Sequence, residues 1–206
     1  MQNEIWFRPL IWMDYRLALL FTVIIPLILL VWAFVQKVEA IQSLLTIYWR
    51  VSSLLAITVY LLIAPFQVGF ISGLIARVLI PISLWFWVDL NEEIEDRPGD
   101  ALKLTFNSWR WAISLYCILG VIAQLPSLQC GFASGAIAQP LCRAWIEPSL
   151  VFKDYFHPNS TPGFLGFLGV VGLIVYVLCL SYFILFKLGK QGRFAIRQWK
   201  NLWGSG

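Results

Sequence analysis

Residues 51–90 form an apolar stretch that limits how this chain can fold more than any other feature. The stretch is forty residues long, and Arg77 is its single charge before Asp89. A helix needs about 20 apolar residues to cross a bilayer, so the stretch is long for one crossing and barely sufficient for two. An arginine at mid-membrane costs about 2.5–3.5 kcal/mol on insertion scales, so Arg77 needs a partner, a water-filled cavity or the interface. The position of Arg77 therefore decides how many times the chain crosses.

The composition of the whole chain is that of a membrane protein. Of its 206 residues, 60% are hydrophobic and 13% are charged, and the mean hydropathy is +0.77. Soluble domains carry about 25% charged residues. We predict an all-α polytopic membrane protein, with residues 1–203 as one transmembrane domain and residues 204–206 as an appended linker. The aromatic, mixed-charge N-terminus lacks a cleavage site, so we expect the first span, from Leu17 to about Val35, to be retained.

Two arrangements of the 51–90 stretch are open. In the preferred arrangement the helix bends at Pro65, Arg77 emerges at the interface, and residues 78–90 form an interfacial or re-entrant segment, which gives four transmembrane helices. In the alternative, residues 65–69 form a tight turn, Arg77 is buried and the chain crosses five times. The positive-inside rule barely separates the two arrangements, and the cost of burying Arg77 favours four crossings. Both place the C-terminus and residues 91–100 on the cytoplasmic side.

A proline and an aspartate predict local features of two helices. Pro26 lies inside the first span and leaves the carbonyl of Thr22 without a backbone partner, so we expect a kink there. Asp100 follows a Pro-Gly turn signal and is placed to cap a helix that begins at Ala101. The next membrane span is expected over residues 111–125, where a proline ends it.

The segment 91–100 is the one markedly acidic part of the chain. The carboxylates of Glu92, Glu93, Glu95 and Asp96 are grouped within it, and Asp100 is its last residue. The ordinary interpretation is a solvated loop, and the functional one is a docking site for a basic partner surface.

The connection over residues 127–162 is predicted to lie outside the cytoplasm. It contains Cys130 and Cys142, and two cysteines a dozen residues apart on that side indicate a disulfide, with two free thiols as the alternative. Closing such a loop would contribute about 3 kcal/mol in the chain-entropy model. The one histidine, His157, lies in this connection and is interpreted as an ordinary surface residue.

The last span carries glycines at every third position. Close packing against the protein's own helices is the ordinary interpretation, and contact with a partner helix, a lipid or a pigment tail is the functional one. A basic segment follows, which we expect to bind anionic headgroups on the cytoplasmic side. The glycines are Gly163, Gly166, Gly169 and Gly172, and the basic residues are Lys187, Lys190, Arg193, Arg197 and Lys200.

No residue pattern indicates a reaction. The chain has no CxxC, HExxH, GxSxG or phosphate-loop motif, and a single histidine predicts neither a metal nor a haem site. No acidic residue is evident within a span except Asp89 at an end, although proton- or ion-coupled transport normally uses such groups. We therefore expect a protein that is not an enzyme, has no assigned cofactor and binds no nucleic acid.

The opening residues WFRPLIWMDYRLALLFTVIIPLILLVWAFV and the order of the spans resemble an uncharacterised cyanobacterial family of integral membrane proteins with a domain of unknown function. The resemblance covers nearly the whole chain. It implies a thylakoid or plasma membrane, and a lumenal face for residues 127–162, where a bridge between Cys130 and Cys142 could persist. It carries no catalytic residues over to this chain.

These observations leave three functional hypotheses. The first is a non-enzymatic accessory or assembly factor that binds a photosynthetic membrane complex, most specifically photosystem II, through the glycine-bearing span and the acidic segment. The second is a small transporter or channel in which Arg77 meets an anionic substrate. The third is contact with a chlorophyll or carotenoid without a histidine ligand.

Overall fold

The computed structural model describes residues 8–133, 135–183 and 185, and these are almost entirely helical. The helices are α1 (Arg8–Ala18), α2 (Ile25–Val35), α3 (Glu39–Ile63), α4 (Val68–Trp85), α5 (Val88–Asp96), α6 (Ala101–Gln124), α7 (Gln129–Phe132), α8 (Pro140–Phe156) and α9 (Pro162–Tyr182). A π-helical turn, Leu19–Ile24, joins α1 to α2. The described ranges contain no β-strand, so the all-α prediction is confirmed.

Five helical segments are long and apolar enough to cross a membrane. They are Arg8–Val35, Glu39–Ile63, Val68–Trp85, Ala101–Phe132 and Pro162–Tyr182. The polytopic class predicted from composition is therefore confirmed. Two of these helical segments begin before the apolar runs predicted as spans, at Arg8 before Leu17 and, as the predicted cap requires, at Ala101 before residue 111.

The 51–90 stretch folds as a helical hairpin, which is the alternative arrangement of the two. Helix α3 ends at Ile63, a tight turn follows, and α4 runs on without interruption to Trp85. Within the turn the Phe66 amide donates to the Leu61 carbonyl at 3.0 Å. The expectation that Arg77 emerges at the interface is wrong, because this residue is only 8% exposed. Its burial depends on a partner from another helix, described below.

Hydrogen bonds between distant residues show which connections share an end of the bundle. At one end, Arg8 pairs with Glu147, and the Tyr60 hydroxyl lies 2.9 Å from His157 Nε2. At the other end, residues 37–40 line one groove together with Glu93, Ile94 and Arg97. The continuous segment of α1 and α2 and the helices α3, α4 and α6 therefore alternate in direction, with α8 at the first end and α5 at the second.

A kink was predicted at Pro26, and the structure has a π-helical turn, Leu19–Ile24, just before this residue. The carbonyl of Thr22, which Pro26 cannot engage, accepts a hydrogen bond from the Tyr48 hydroxyl at 2.8 Å. The neighbouring Phe21 carbonyl accepts from Trp109 Nε1 at 2.9 Å. Side chains from α3 and α6 therefore satisfy the backbone groups that the proline leaves free.

The main core lies among α2, α3, α4, α5 and α6. Tyr48 at its centre is fully buried, and its ring packs edge-on against Trp109 with 5.1 Å between centroids. A smaller cluster surrounds Phe70 near α7 and α8. The chain divides into two compact units, Met1–Gly169 and Val170–Gly206. The described residues of the second unit continue α9 to Tyr182.

Candidate functional site

A buried ion pair between Asp14 on α1 and Arg77 on α4 is the main polar feature of the transmembrane region. Arg77 Nη2 donates to Asp14 Oδ2. The Tyr116 hydroxyl on α6 donates to Asp14 Oδ1 at 2.9 Å and lies 3.1 Å from the Asp14 carbonyl. The pair is shielded from water, since the side chains of Arg77 and Asp14 are 10% and 21% exposed. Three helices therefore meet at one carboxylate.

Aromatic rings and a glycine enclose the guanidinium of Arg77. Its carbon Cζ lies 5.7 Å from the ring centre of Tyr116 and 6.0 Å from that of Trp145 on α8, distances at which a cation is attracted to an aromatic face. A Cβ atom built on Gly120 would come within 3.0 Å of the same Cζ. Gly120 thus lets Arg77 lie directly against the backbone of α6.

A second buried polar group lies one turn further along α6. Gln124 is 5% exposed, and its Nε2 donates to the Phe70 carbonyl at 3.2 Å. A Cβ on Gly73 would lie 3.2 Å from the same nitrogen. Within the described ranges, Gln124 Oε1 and Arg77 Nη1 have no hydrogen-bond partner. Among the described residues, this part of the interface between α4 and α6 therefore contains an unpaired acceptor beside an unpaired donor.

The arrangement around Arg77 is electrically balanced. Asp14 supplies one negative charge at hydrogen-bond distance, so the burial of the arginine costs far less than it would for an isolated cation. Tyr116 adds a neutral donor to the carboxylate. The site can hold helices together and bind a neutral hydrogen-bonding group. An anion would have to compete with Asp14 for the guanidinium.

A different arginine fastens the acidic segment to the bundle. Arg110 on α6 is 2% exposed, and its Cζ lies 4.1 Å from the ring centre of Trp85. Its Nη1 donates to Asn91 Oδ1 at 2.5 Å. The Asn91 amide in turn lies 3.3 Å from the Leu84 carbonyl and 3.4 Å from the Trp85 carbonyl at the end of α4. This chain of contacts fixes the start of α5.

The predicted acidic loop is an ordered helix, α5. Ile94 on its inner face is 1% exposed and belongs to the main core, which is why the segment is helical instead of free in solvent. The four predicted docking residues, Glu92, Glu93, Glu95 and Asp96, are all exposed, as is Asp89 at the start of the same helix. Glu95 Oε1 approaches Arg110 Nη2 to 3.9 Å. The carboxylates are therefore displayed on a rigid element.

The turn after α5 ends at the predicted helix cap, which is confirmed. Asp100 Oδ1 accepts from the Lys103 amide at 2.8 Å, and Arg97 Nη2 donates to Asp100 Oδ2 at 2.7 Å. The backbone amide of Lys103, together with Arg97, holds the pKa of the Asp100 carboxyl below its ordinary value of 3.8. Beside this turn, a groove of about 330 Å³ is lined by Lys37–Ala40, Glu93, Ile94 and Arg97.

The glycines of the last span have different surroundings. A Cβ on Gly169 would lie 3.0 Å from the Leu61 amide nitrogen, and one on Gly166 would lie 2.9 Å from the Phe66 ring. Gly163 has open space around its Cβ position, and Gly172 is half-buried. Two of the four partner candidates, Gly166 and Gly169, are thus used for packing against the α3–α4 hairpin of the same chain.

Cys130 and Cys142 form a disulfide, with 5.8 Å between their Cα atoms. Both are fully buried beside Phe70 and Ile146. The bridge ties α7 to the start of α8. The basic candidates for headgroup binding, Lys187, Lys190, Arg193, Arg197 and Lys200, lie outside the described residues.

Several residues of these sites were not singled out from the sequence. Asp14 lies three residues before Leu17, the predicted start of the first span, whereas in the structure it is inside α1. Arg110 and Tyr116 lie in α6 and were assigned no role from the sequence. The signal for the ion pair was the lone Arg77 itself, because a buried arginine requires an acid and Asp14 is the acid nearest the first span. No comparable pattern indicated Arg110.

Possible metal ligands do not cluster in the part of the chain that the structure describes: no three of its His, Cys, Asp or Glu side chains are grouped to hold a metal ion. The fold and the contacts above define a small, polytopic, all-helical membrane protein with a buried ion pair. The chain belongs to the family described as "Protein of unknown function (DUF3177)", whose model matches residues 8–196. No curated protein and no solved structure matches it.

Proposed function

We propose that this protein is a non-enzymatic accessory or assembly factor that binds a membrane protein complex. The observation that carries the proposal is the acidic helix α5, held rigidly at one end of the bundle with its carboxylates in solvent. Rigid display of charge lowers the entropy that a binding surface loses on association. A surface of several carboxylates attracts a basic partner surface and orients it for binding.

The way in which α5 is attached supports this role. Arg110 is almost fully buried, yet it bonds the side chain of Asn91 at 2.5 Å and approaches Glu95. Burial of a charged group is costly, so its use at this position fixes α5 against α6 instead of leaving a mobile loop. A merely solubilising segment would not need such an attachment.

The partner we propose is a photosynthetic complex, most specifically photosystem II, in a thylakoid or plasma membrane. Support for this part comes from the resemblance to a cyanobacterial family described above. The acidic helix would then contact a basic cytoplasmic surface of that complex, and residues 127–162 would face the lumen. Contact with a chlorophyll or carotenoid belongs to the same proposal.

Affinity purification tests the proposal. The tagged full-length chain is expressed in a cyanobacterium, recovered from solubilised membranes, and its co-purifying proteins are quantified by mass spectrometry. We expect photosystem II subunits with the wild type and at least a fivefold loss with Glu92→Gln/Glu93→Gln, since both carboxylates point into solvent.

A matched control removes the same charge at the opposite end of the bundle. Glu147→Gln/Asp154→Asn neutralises two partly or fully exposed carboxylates on α8 and should leave recovery unchanged. Recovery of the chain alone, or equal losses for the two double variants, would refute the proposed role of α5.

A small transporter or channel is the second candidate, favoured by one observation. Arg77 presents Nη1 without a partner among the described residues at a buried position. Because Asp14 compensates its charge, an anionic substrate would have to displace that carboxylate. Flux of chloride and phosphate into proteoliposomes should then fall at least tenfold with Arg77→Lys, which keeps the charge but loses the fork of donors. Wild-type flux no greater than that of empty liposomes ends this candidate.

A further inference from the structure

Two buried side-chain atoms at the interface between α4 and α6 lack a hydrogen-bond partner among the described residues. Arg77 Nη1 is a donor, Gln124 Oε1 is an acceptor, and neither has a hydrogen-bond partner in the described ranges. Both residues are more than nine-tenths buried, at 8% and 5% exposure. In an apolar interior an unpaired polar atom is costly, so such atoms are normally satisfied.

The helix register places these two side chains about one helical turn apart along the interface. Arg77 lies against Gly120, and the amide of Gln124 lies against Gly73. Gly73 and Arg77 are four residues apart on α4, as are Gly120 and Gln124 on α6. Four residues of an α-helix rise about 6 Å. A single oxygen that hydrogen-bonds to both atoms spans a little less than this distance, since each bond is about 2.9 Å long.

The chemistry of the two atoms selects the ligand. The bridging group has to accept from Arg77 and donate to Gln124. A carboxylate or phosphate only accepts, an ammonium only donates, and a hydroxyl-type oxygen does both. Charge agrees with this selection, because Asp14 already neutralises Arg77.

We propose that Arg77 Nη1 and Gln124 Oε1 form a binding site for one hydroxyl-type oxygen, supplied by a water molecule or by the hydroxyl of a polar lipid. The bound oxygen extends the polar contacts of Asp14 and Arg77 along α6 to Gln124 and the Phe70 carbonyl. This site is independent of the acidic surface on α5.

A double-variant cycle measures the bridge. Arg77→Lys keeps the charge beside Asp14 but removes Nη1, and Gln124→Met removes Oε1 at similar volume. Equilibrium unfolding in detergent micelles is measured for the wild type, both single variants and the double variant. Once one end of the bridge is gone, loss of the other end should matter less. The unfolding constant of the double variant should therefore be at least fivefold smaller than the value obtained by multiplying the two single-variant effects.

A control cycle pairs Arg77→Lys with Ser72→Ala. Ser72 lies in the same interface but bonds to Gly69 and Thr58, so its effect should multiply with that of Arg77→Lys. Water-edited solid-state NMR in liposomes identifies the source of the oxygen, using the Arg77 guanidinium signal assigned by difference from Arg77→Lys. Fast magnetisation transfer from water to the Arg77 signal, slowed at least threefold in Gln124→Met, indicates that the oxygen belongs to water. Transfer from lipid protons that slows in the same way indicates a lipid hydroxyl. Independent effects of Arg77 and Gln124, or transfer that does not change in Gln124→Met, would overturn the site.

Discussion

Replacement of Asp14 by asparagine should destabilise the fold strongly, because it leaves Arg77 buried without a counter-charge. Asparagine keeps an acceptor for the Tyr116 hydroxyl, so the variant isolates the loss of charge. Removing one member of a buried ion pair costs about 3–5 kcal/mol. The Asp14 side chain is 21% exposed, which places the expected loss at the lower end, about 3 kcal/mol, or more than a hundredfold in the unfolding constant.

The assay is equilibrium unfolding in mixed micelles with increasing denaturing detergent, followed by the fluorescence of the eleven tryptophans. The pair Arg8–Glu147 provides a matched control. It is the same type of ion pair, but its side chains are 51% and 33% exposed. Glu147→Gln should cost no more than about 1 kcal/mol, because solvent screens such pairs.

A compensating variant makes the test sharper. In Asp14→Asn/Arg77→Met both charges are gone, and a well-packed neutral pair is often as stable as the ion pair it replaces. This double variant should regain most of the stability that Asp14→Asn loses. Equal shifts for Asp14→Asn and Glu147→Gln, or a double variant no better than the single one, would show that Arg77 is not buried against Asp14.

Three further expectations follow from single contacts. Gly169→Ala should cost about 1–3 kcal/mol in thermal unfolding, because its Cβ would meet the Leu61 backbone at 3.0 Å, whereas Gly163→Ala has open space and should be neutral or stabilising by up to about 1 kcal/mol. Tyr48→Phe should cost about 1–3 kcal/mol in the same measurement, since the Thr22 carbonyl loses its buried donor. The lowered pKa of Asp100 adds stability that is complete above pH 3.8 and is lost as the pH falls through the lower folded value. In an acid titration followed by circular dichroism, this pH-dependent loss of stability should be absent from Asp100→Asn, which retains a capping side chain.

Local chemistry could be predicted from the sequence, and tertiary pairing could not. The cap at Asp100 depends on residues within three positions, so it was predicted and is confirmed. The Thr22 carbonyl was singled out from Pro26 four positions on, and it accepts a hydrogen bond from Tyr48. The partner of Arg77 lies 63 residues away. Charge counts on the two sides were the same for four and five crossings, so the choice rested on the cost of burying Arg77, and that cost was assessed without Asp14.

The last span and the acidic segment show the same limit from another direction. Glycines at every third residue predict that another helix approaches closely, but which helix it is depends on the fold. In the structure Leu61 and Phe66 of the same chain pack against two of the glycines. The acidic segment contains few apolar residues, and its helical state depends on the burial of Ile94 and on Arg110 from α6. Neither contact leaves a periodic trace in the sequence.

The separation of Asp14 and Arg77 along the chain has a consequence for biosynthesis. The ribosome completes the first hydrophobic segment well before it makes Arg77, so Asp14 has no counter-ion while further segments emerge. If the first segment diffused away into the lipid, the third segment would have to enter the bilayer with an unpaired arginine. The insertion machinery is therefore expected to retain the early segments together and release them into the bilayer as a group.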